Sequence, residues 1–358
     1  MTAARKDGAG NNFDALRLMA ALMVIHGHGW VLSGFEGPGL WGVPFARVGL
    51  DVFFSISGYL VTASWERAPQ VRSFLLKRAL RIFPGLVACV LLTAFVLGPL
   101  MTRLPLSAYL THPTTISYLA NVALLNELYL PGVFDAMREG GAVNGSLWSL
   151  LPEFACYLSV PLFALVPARR RPLALAAIAS LSGIAGLVLF YFHGAPALDV
   201  YHLDLRYAFV EAPFFLVGSA LRLLDRRLGE PLWRADACLL FFSGNYFISA
   251  WFDWWNLPFE WFTLPYMVLA FGRLSLPVVR QAARFGDLSY GMYLYAFPVQ
   301  QMVLALWPQA GLPVLLCTVL TIPLALLSWK LVERPAIRWR QALTRSAPPE
   351  QAPQASTG

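Results

Sequence analysis

Ten apolar stretches, each close to the length that crosses a bilayer, constrain this 358-residue chain more than any other feature. A helix needs about 20 predominantly apolar residues to span the hydrocarbon core. Because hydrophobic residues make up 58% of the chain and charged residues only 13%, a soluble globular domain and a disordered chain are both excluded. We predict spans at about residues 13–33, 48–65, 79–100, 147–167, 173–193, 206–224, 236–252, 257–272, 288–307 and 311–332.

The predicted fold is therefore an all-α, polytopic membrane protein with about ten transmembrane helices. Residues 1–12 are predicted to be a short N-terminal segment, and residues 13–340 to form the transmembrane domain. Residues 341–358, rich in Ala, Pro, Gln and Ser, are predicted to be a disordered tail. The long connection at 101–146 is expected to contain an interfacial or re-entrant piece.

Lys and Arg collect in alternate connections between the spans. With the N-terminus inside, 22 of the 27 basic residues lie on the cytoplasmic side and four outside, while Arg17 lies within the first span. The positive-inside rule then predicts that both termini are cytoplasmic and that the number of spans is even. The formal charge of +7 is explained by this orientation, and no basic soluble module indicates nucleic-acid binding.

The first span carries a polar stripe. Arg17 and His28 are eleven residues apart, which places them within about 20° of one helix face and about 16 Å apart along the axis. Asp14 lies about 40° from His28 on the same side, whereas His26 is two residues from His28 and about 200° away. A charged residue inside a span usually faces a bundle interior or a cavity. The alternatives are an arginine that reaches the helix end and an interfacial histidine.

Asp51 begins the second span at the depth where His28 leaves the first. A carboxylate there can orient an imidazole and favour its protonation. The alternative is a helix-start acid that accepts from free backbone N–H groups. Farther along the same span, Ser57 and Gly58 allow another helix to approach closely.

Arg78 and Arg81, at the start of the third span, lie on one side of a helical turn. They can clamp phosphates, or they are an ordinary positive-inside flank. Glu153, inside the fourth span, needs a partner or stays protonated. It serves either a site that handles hydroxyl groups or an interhelical hydrogen bond.

Two further motifs lie near the C-terminus. The sequence SYGMYLYAFP at 289–298 either lines a cavity with tyrosines such as Tyr293 or packs between helices. The sequence VERP at 332–335 predicts the end of the last helix with a local ion pair, because Pro335 cannot easily continue a helix.

In order and spacing, these motifs resemble the membrane acyltransferase-3 family of bacterial O-acyltransferases, from Phe13 to about Arg338. The resemblance implies that His28 is the key catalytic residue and that Arg17, Arg78 and Arg81 are associated with the acyl donor. The motifs that carry it are Arg17-x10-His28, GLDVFFSISGYL, Arg78-x-x-Arg81, NGSLWSLLPE, SYGMYLYAFP and VERP.

The chain departs from the family in two places. Many members have a histidine in the SYGxYLxHxP stretch where this chain has Ala296, so no catalytic role is expected at that position. Some members also carry a C-terminal extracytoplasmic hydrolase-like domain. None follows the last predicted span here, so we expect transfer to finish within the membrane domain or in another protein.

We therefore expect a multi-pass O-acyltransferase of the bacterial cytoplasmic membrane. It would move an acyl group, with acetyl the expected one, from cytoplasmic acyl-CoA to a hydroxyl of a cell-surface or exported glycan. The expected catalytic residues are His28, Arg17, Asp51 and Glu153. The expected donor contacts are Arg78, Arg81 and Arg17, and the expected acceptor contacts are Asn144, Trp148 and Tyr293.

The expected partners are acyl-CoA as co-substrate, the glycan acceptor and the lipid bilayer. No permanently bound cofactor is expected, and the four cysteines show no metal-ligand spacing. The alternative is a secondary transporter or flippase of a glycan or lipid-linked precursor, in which the same polar groups form a relay. Acyl transfer from acyl-CoA by the purified protein distinguishes the two.

Overall fold

A computed structural model of the chain describes residues 11–191, 199–252, 256–307 and 313–345. The α-helices are α1 (Phe13–Ser33), α2 (Phe45–Arg67), α3 (Val71–Leu92), α4 (Gly98–Met101), α5 (Leu106–Leu110), α6 (Pro113–Tyr118), α7 (Leu150–Ser159), α8 (Arg171–Tyr191), α9 (Leu205–Leu228), α10 (Ala235–Trp251), α11 (Asn256–Arg273), α12 (Ser289–Leu306), α13 (Val314–Ser328) and α14 (Arg334–Arg345).

Short elements connect and extend these helices. Two antiparallel hairpins pair β1 (Gly39–Leu40) with β2 (Val43–Pro44), and β3 (Asp199–Val200) with β4 (Leu203–Asp204). In the first, Gly39 pairs with Pro44. The 3-10 turns are Leu119–Ala123, Glu139–Gly141, Leu147–Ser149, Val160–Leu165, Ala168–Arg170, Glu230–Leu232 and Val279–Phe285. The π turns are Thr93–Leu97 and Trp329–Glu333.

Seven helical segments in the described ranges are long and apolar enough to cross a membrane. They are Phe13–Ser33, Phe45–Arg67, Val71–Met101, Leu147–Leu165, Ala168–Phe190, Leu205–Leu228 and Val314–Trp339. The other three predicted spans coincide with α10, α11 and α12. The prediction of an all-α, polytopic membrane protein is confirmed, whereas the number ten stays a prediction.

Most of the two predicted terminal segments, at 1–10 and 346–358, lies outside the described residues. The positions 192–193 and 311–312 of two predicted spans lie outside them as well. Helix α14 continues to Arg345, so residues 341–345, which were assigned to the disordered tail, are helical.

Helices α2 and α9 form the most buried part of the bundle, and two glycines explain how closely they pack. A Cβ atom on Gly58 would lie 2.0 Å from the Phe215 carbonyl oxygen, and one on Gly218 would lie 2.3 Å from the Ser55 carbonyl oxygen. The Ser219 hydroxyl donates to the Gly58 carbonyl at 3.2 Å across the same contact. The close helix approach predicted at Gly58 is confirmed.

The bundle has two ends, which we call basal, where α1 and α12 begin, and distal, where they end. At the basal end, Asn12 donates its backbone N–H to the carbonyl of Gly272 near the end of α11. Ion pairs there also join Glu66 near the end of α2 to Arg222 on α9. Because α1 begins where α2, α9 and α11 end, these helices alternate in direction, as the charge pattern requires.

The connection at 101–146 folds back against the bundle in short helices and turns. Tyr109 and Tyr118 are fully buried, and the Tyr109 hydroxyl donates to the carbonyl of Ala94 at 2.7 Å. At the distal end, the Gln301 amide of α12 donates to the carbonyl of Ala142 at 2.7 Å. Parts of this connection are therefore anchored to the bundle by buried side chains and hydrogen bonds, whereas others, such as Leu106 and Ile116, are exposed.

Candidate active site

A cavity in the basal half of the bundle brings together five of the predicted site residues: Arg17, Arg78, Arg81, Glu153 and Tyr293. It contains about 90 Å³ of space that water can enter. The other lining residues are Leu50, Phe53, Phe54, Ser57, Leu60, Val61, Ile82, Ser149, Leu150, Tyr157, Ser289 and Tyr290. The cavity therefore joins a cationic end to an apolar and hydroxyl-bearing wall.

Two arginines from different helices share one carboxylate at the cationic end. Asp287 Oδ2 lies 2.6 Å from Arg81 Nη2 and 3.7 Å from Arg17 Nη1, and Asp14 Oδ1 lies 3.1 Å from the same Arg17 nitrogen. Burial raises the pKa of Asp287, but Arg81 and Arg17, together with hydrogen bonds from Ser289, outweigh it and lower the pKa to about 2. Asp287 therefore stays ionised, and the two guanidinium groups lie beside a fixed negative charge.

Aromatic rings hold the planes of the two α3 arginines. The Arg78 guanidinium carbon lies 5.9 Å from the ring centre of Tyr157, and that of Arg81 lies 5.5 Å from the ring centre of Tyr290. Such cation–π contacts add to the fixed orientation of a guanidinium group. The sequence left two interpretations for this pair, a phosphate clamp or a positive-inside flank. Both arginines line the cavity, as a phosphate clamp requires.

Glu153 forms an interhelical hydrogen bond and lines the cavity as well. It accepts from the Ser57 hydroxyl of α2 at 2.8 Å and from the Tyr157 hydroxyl. The two roles that the sequence left open for Glu153 are thus compatible in one position.

The three predicted acceptor contacts separate in the structure. Tyr293 lines the cavity, where its hydroxyl oxygen lies 2.6 Å from that of Ser149. Asn144 is buried and donates to the carbonyl of Leu294 at 3.0 Å, so it ties its loop to α12. Trp148 packs against the Tyr207 ring, with 5.4 Å between ring centres. Neither Asn144 nor Trp148 is among the residues that line the cavity.

The two histidines point in different directions from an unbroken α1 helix. The His26 ring accepts from the Trp30 indole N–H at 2.9 Å and lies 6.0 Å from the Phe45 ring of α2. The half-buried His28 ring packs edge-on against Phe297 of α12 at 5.3 Å. Among the described residues, no hydrogen bond or ion pair to the His28 ring is found. The predicted divergence of the two rings is confirmed.

Arg17 and His28 both face α12, since one contacts Asp287 just before α12 begins and the other contacts Phe297. An apolar layer from α1, α12 and α13 lies between these two levels. It consists of Ala21, Ile25, Met292, Ala296 and Ala325. His28 is therefore not a lining residue of the basal cavity, although it shares a face of α1 with Arg17.

Asp51 occupies a different environment from the one predicted. Its side chain is fully buried and accepts from Arg47 Nε at 3.2 Å, and Glu211 lies 2.8 Å from the same nitrogen. Buried Glu260 interacts electrostatically with Asp51 and Arg47 and completes this group, which we call the distal cluster. The ion pair with Arg47 one turn earlier on α2 replaces the predicted pairing of Asp51 with His28.

The VERP motif also differs from its prediction. Instead of ending at Pro335, the helical path continues from α13 through the π turn at Trp329–Glu333 into α14. The wider π turn changes the hydrogen-bond register just before the proline, and such turns often occur at functional sites. Glu333 is buried, accepts from the Ser328 hydroxyl at 2.9 Å and lies 3.8 Å from Arg81 Nη1. Its ion pair therefore reaches across the bundle.

Sequence reasoning missed Asp287, Glu333, Ser57 and Tyr157 as neighbours of the site. Asp287 lies two residues before Ser289, where the SYGMYLYAFP stretch begins, and its charge near that motif is the signal that could have found it. For Glu333, the buried carboxylate inside a helical continuation was hidden by the proline two residues later.

Comparisons with known proteins agree with this picture. A family model described as an acyltransferase domain matches residues 11–330. The chain is 29% identical to an O-acetyl transferase of Shigella phage Sf6, over 94% of this chain and 97% of that protein. It is 30% identical to Nodulation protein 10 of Rhizobium leguminosarum bv. viciae, over 94% and 95% of the two chains.

A shorter similarity reaches the peptidoglycan O-acetyltransferase OatA of Listeria monocytogenes serovar 1/2a. Identity there is 25%, over 43% of this chain and 24% of that protein. No solved structure matches the chain.

Proposed function

The chain belongs to the membrane acyltransferase-3 family, and we propose that this membrane O-acyltransferase moves an acetyl group from cytoplasmic acetyl-CoA to a hydroxyl of a cell-surface or exported glycan. The observation that carries the proposal is that three arginines, Arg17, Arg78 and Arg81, line one cavity, and that Arg17 belongs to the same helix, α1, as His28. An O-acetyltransferase name on a relative aligned over nearly its whole length supports acetyl as the group.

The donor binds at the cationic end of the cavity. Guanidinium groups present several donors in one plane and bind phosphates through two hydrogen bonds at once. Arg78, Arg81 and Arg17 hold the phosphates of acetyl-CoA, and the thioester extends toward the apolar wall. Glu153 and Tyr293 line that wall and contact the thioester end of the donor.

His28 acts on the acceptor hydroxyl at the distal level. It takes the hydroxyl proton as a general base, or it accepts the acyl group before passing it on. In the direct route the C–S bond of the thioester breaks as the C–O bond to the acceptor forms. In the acyl-histidine route a C–N bond to His28 forms as the C–S bond breaks, and it breaks again as the C–O bond forms. In both routes the proton lost by the acceptor hydroxyl balances the proton gained by the released thiolate. The acyl group has to pass the apolar layer around Ile25 and Met292, which favours a short acyl chain. Asn144 supports the acceptor side indirectly by holding its loop against α12.

The basal end faces the cytoplasm of a bacterial inner membrane in this proposal, with both termini inside. The support is the clustering of basic residues at alternate connections. A reporter fused after Arg345 should behave as cytoplasmic, and one inserted within 101–146 as external. An external C-terminus would contradict the even number of spans.

The purified full-length protein tests the reaction directly. Incubation with acetyl-CoA and a glycan acceptor should release free CoA thiol, and mass spectrometry of surface glycans should find O-acetyl groups that disappear when the protein is absent. A transporter or flippase would release no thiol. Thiol release without any change in glycan acetylation would support acetyl-CoA as the donor and contradict a glycan as the acceptor.

A further inference from the structure

Asp287 contacts two of the cavity's arginines, which come from different helices. Its Oδ2 atom lies 2.6 Å from Arg81 on α3 and 3.7 Å from Arg17 on α1. Asp287 itself belongs to a third element, the connection that leads into α12. Only 17% of its side chain is exposed, so this carboxylate sits between the two guanidinium groups rather than in open solvent.

The carboxylate is itself held in place. Its second oxygen, Oδ1, accepts from the Ser289 hydroxyl in the first turn of α12 at 2.6 Å. Both oxygens are therefore engaged, one with α12 and one with the arginines. A group fixed in this way can set the position of its partners.

Arg81 is fixed on its remaining sides by Tyr290, over whose ring it stacks, and by Glu333, 3.8 Å from Nη1. A guanidinium group has five N–H donors in a rigid plane. Carboxylates can therefore occupy some donors while others stay available to a ligand. Two guanidinium groups that approach each other repel, and an anion between them offsets that repulsion.

We propose that Asp287 is a positioning residue of the donor site, which holds Arg17 and Arg81 side by side so that both meet the phosphates of the acyl donor. The inference rests on the proposed function and requires no contact between Asp287 and the donor. Its consequence is specific: Asp287 matters only for donors that carry phosphates.

Two donors separate this role from a general structural one. Acetyl-CoA carries the nucleotide phosphates, whereas S-acetyl-N-acetylcysteamine carries the same thioester without any phosphate. For Asp287→Asn, we expect the KM for acetyl-CoA to rise about tenfold, the scale of one hydrogen bond to a charged group. Thiol release from the phosphate-free donor should stay unchanged.

Asp225→Asn is the matched control. Asp225 is also a buried aspartate at the basal end, 6% exposed and 2.5 Å from Arg273, but it does not line the cavity. This variant should lower the melting temperature and leave the KM for both donors unchanged. It measures what the loss of a buried Asp–Arg pair does by itself.

An equal loss of thiol release with both donors would mean that Asp287 is only a structural counter-ion, and it would overturn the inference. An unchanged or lower KM for acetyl-CoA would overturn it too, the latter because Asp287 would then compete with the phosphates. If Asp287→Asn does not fold, Asp287→Glu keeps the charge and displaces it by one methylene, and a smaller KM increase confined to acetyl-CoA is expected. If the unchanged protein releases no thiol from either donor when the glycan acceptor is present, the proposed function itself fails.

Discussion

The basal cavity and the distal cluster are both built from arginines and carboxylates, yet they differ in balance and in access. Three arginines line the basal cavity, and Asp287 compensates two of them while water can enter. In the distal cluster, Arg47 is the one cation that the described residues place beside Asp51 and Glu211. Both carboxylates are fully buried, and Glu260 is 1% exposed.

This difference separates a region suited to bind an anion from one that holds helices together. Guanidinium groups beside a cavity can donate to a ligand, whereas a buried ion pair costs desolvation and is strongly destabilising when one partner is lost. In the distal cluster, neither oxygen of Glu260 has a hydrogen-bond partner among the described residues. The cluster joins α2, α9 and α11, and none of its members lines the basal cavity.

The largest expected effect is on the rate of acyl transfer, and it tests whether the chemistry of the distal half lies at His28 or in the distal cluster. His28→Ala should lower acyl transfer about 10²–10⁴-fold, the range for loss of a general base, or more if the histidine carries the acyl group. His26→Ala should keep most of the activity, because that ring is occupied by Trp30 and Phe45. Transfer rates at matched protein level measure both. If His26 proves essential and His28 dispensable, the polar-stripe argument fails.

Arg47→Ala should destabilise the fold most, since it leaves Asp51 and Glu211 buried without their cation. Breaking a buried pair costs about 3–5 kcal/mol. Arg206→Ala is the control at the same end of the bundle, because Arg206 in the first turn of α9 forms a partly exposed pair with Asp204 and such pairs contribute about 0–1 kcal/mol. Thermal unfolding in detergent compares the two. Equal melting temperatures would show that the distal cluster is not a structural element.

Arg78→Ala combined with Arg81→Ala should weaken acetyl-CoA binding by roughly 10- to 100-fold, the scale of charge-assisted hydrogen bonds. The exposed Arg72 on the same helix supplies the control, and Arg72→Ala should leave donor affinity unchanged. Equilibrium binding to the purified protein is the measurement. Unchanged affinity in the double variant would show that both arginines are an ordinary positive-inside flank and do not bind the donor.

Glu260→Gln should change stability by less than about 1 kcal/mol, because it replaces a buried carboxyl group whose oxygens have no hydrogen-bond partner among the described residues by an amide of similar size. Glu211→Gln should cost more, since Glu211 lies 2.8 Å from Arg47. Melting temperatures of the two variants sharpen the comparison within the distal cluster. The reverse order would mean that Glu260 has the stronger ionic role.

The smallest expected effect is the change of stability with pH near neutrality, and it concerns Asp287. Its pKa falls to about 2 from the ordinary 3.8 in the folded protein. A lowered carboxyl pKa contributes stability that is present above the ordinary value and is lost as the pH falls through the folded value. The contribution of Asp287 to the melting temperature should therefore be constant from about pH 5 to 8 and decline below about pH 4. Asp287→Asn should remove only the part of the acid-side decline that Asp287 contributes.

The sequence alone was sufficient where the property depends on local periodicity. Apolar runs predicted the helices, and the spacing of 100° per residue predicted that His28 would share a face with Arg17 while His26 would not. The small residues at Gly58 predicted a close helix contact, which α9 provides. These properties follow from residues near one another in the chain, so a pattern along the chain can encode them.

Only the tertiary structure decided which charged groups meet. Asp287 reaches Arg81 across 206 positions of sequence, Glu211 reaches Arg47 from another helix, and Asp51 joins Arg47 instead of His28. Each pairing depends on how helices cross and how closely their backbones approach. No local period specifies those distances, because they are set by packing between segments that are far apart in the chain.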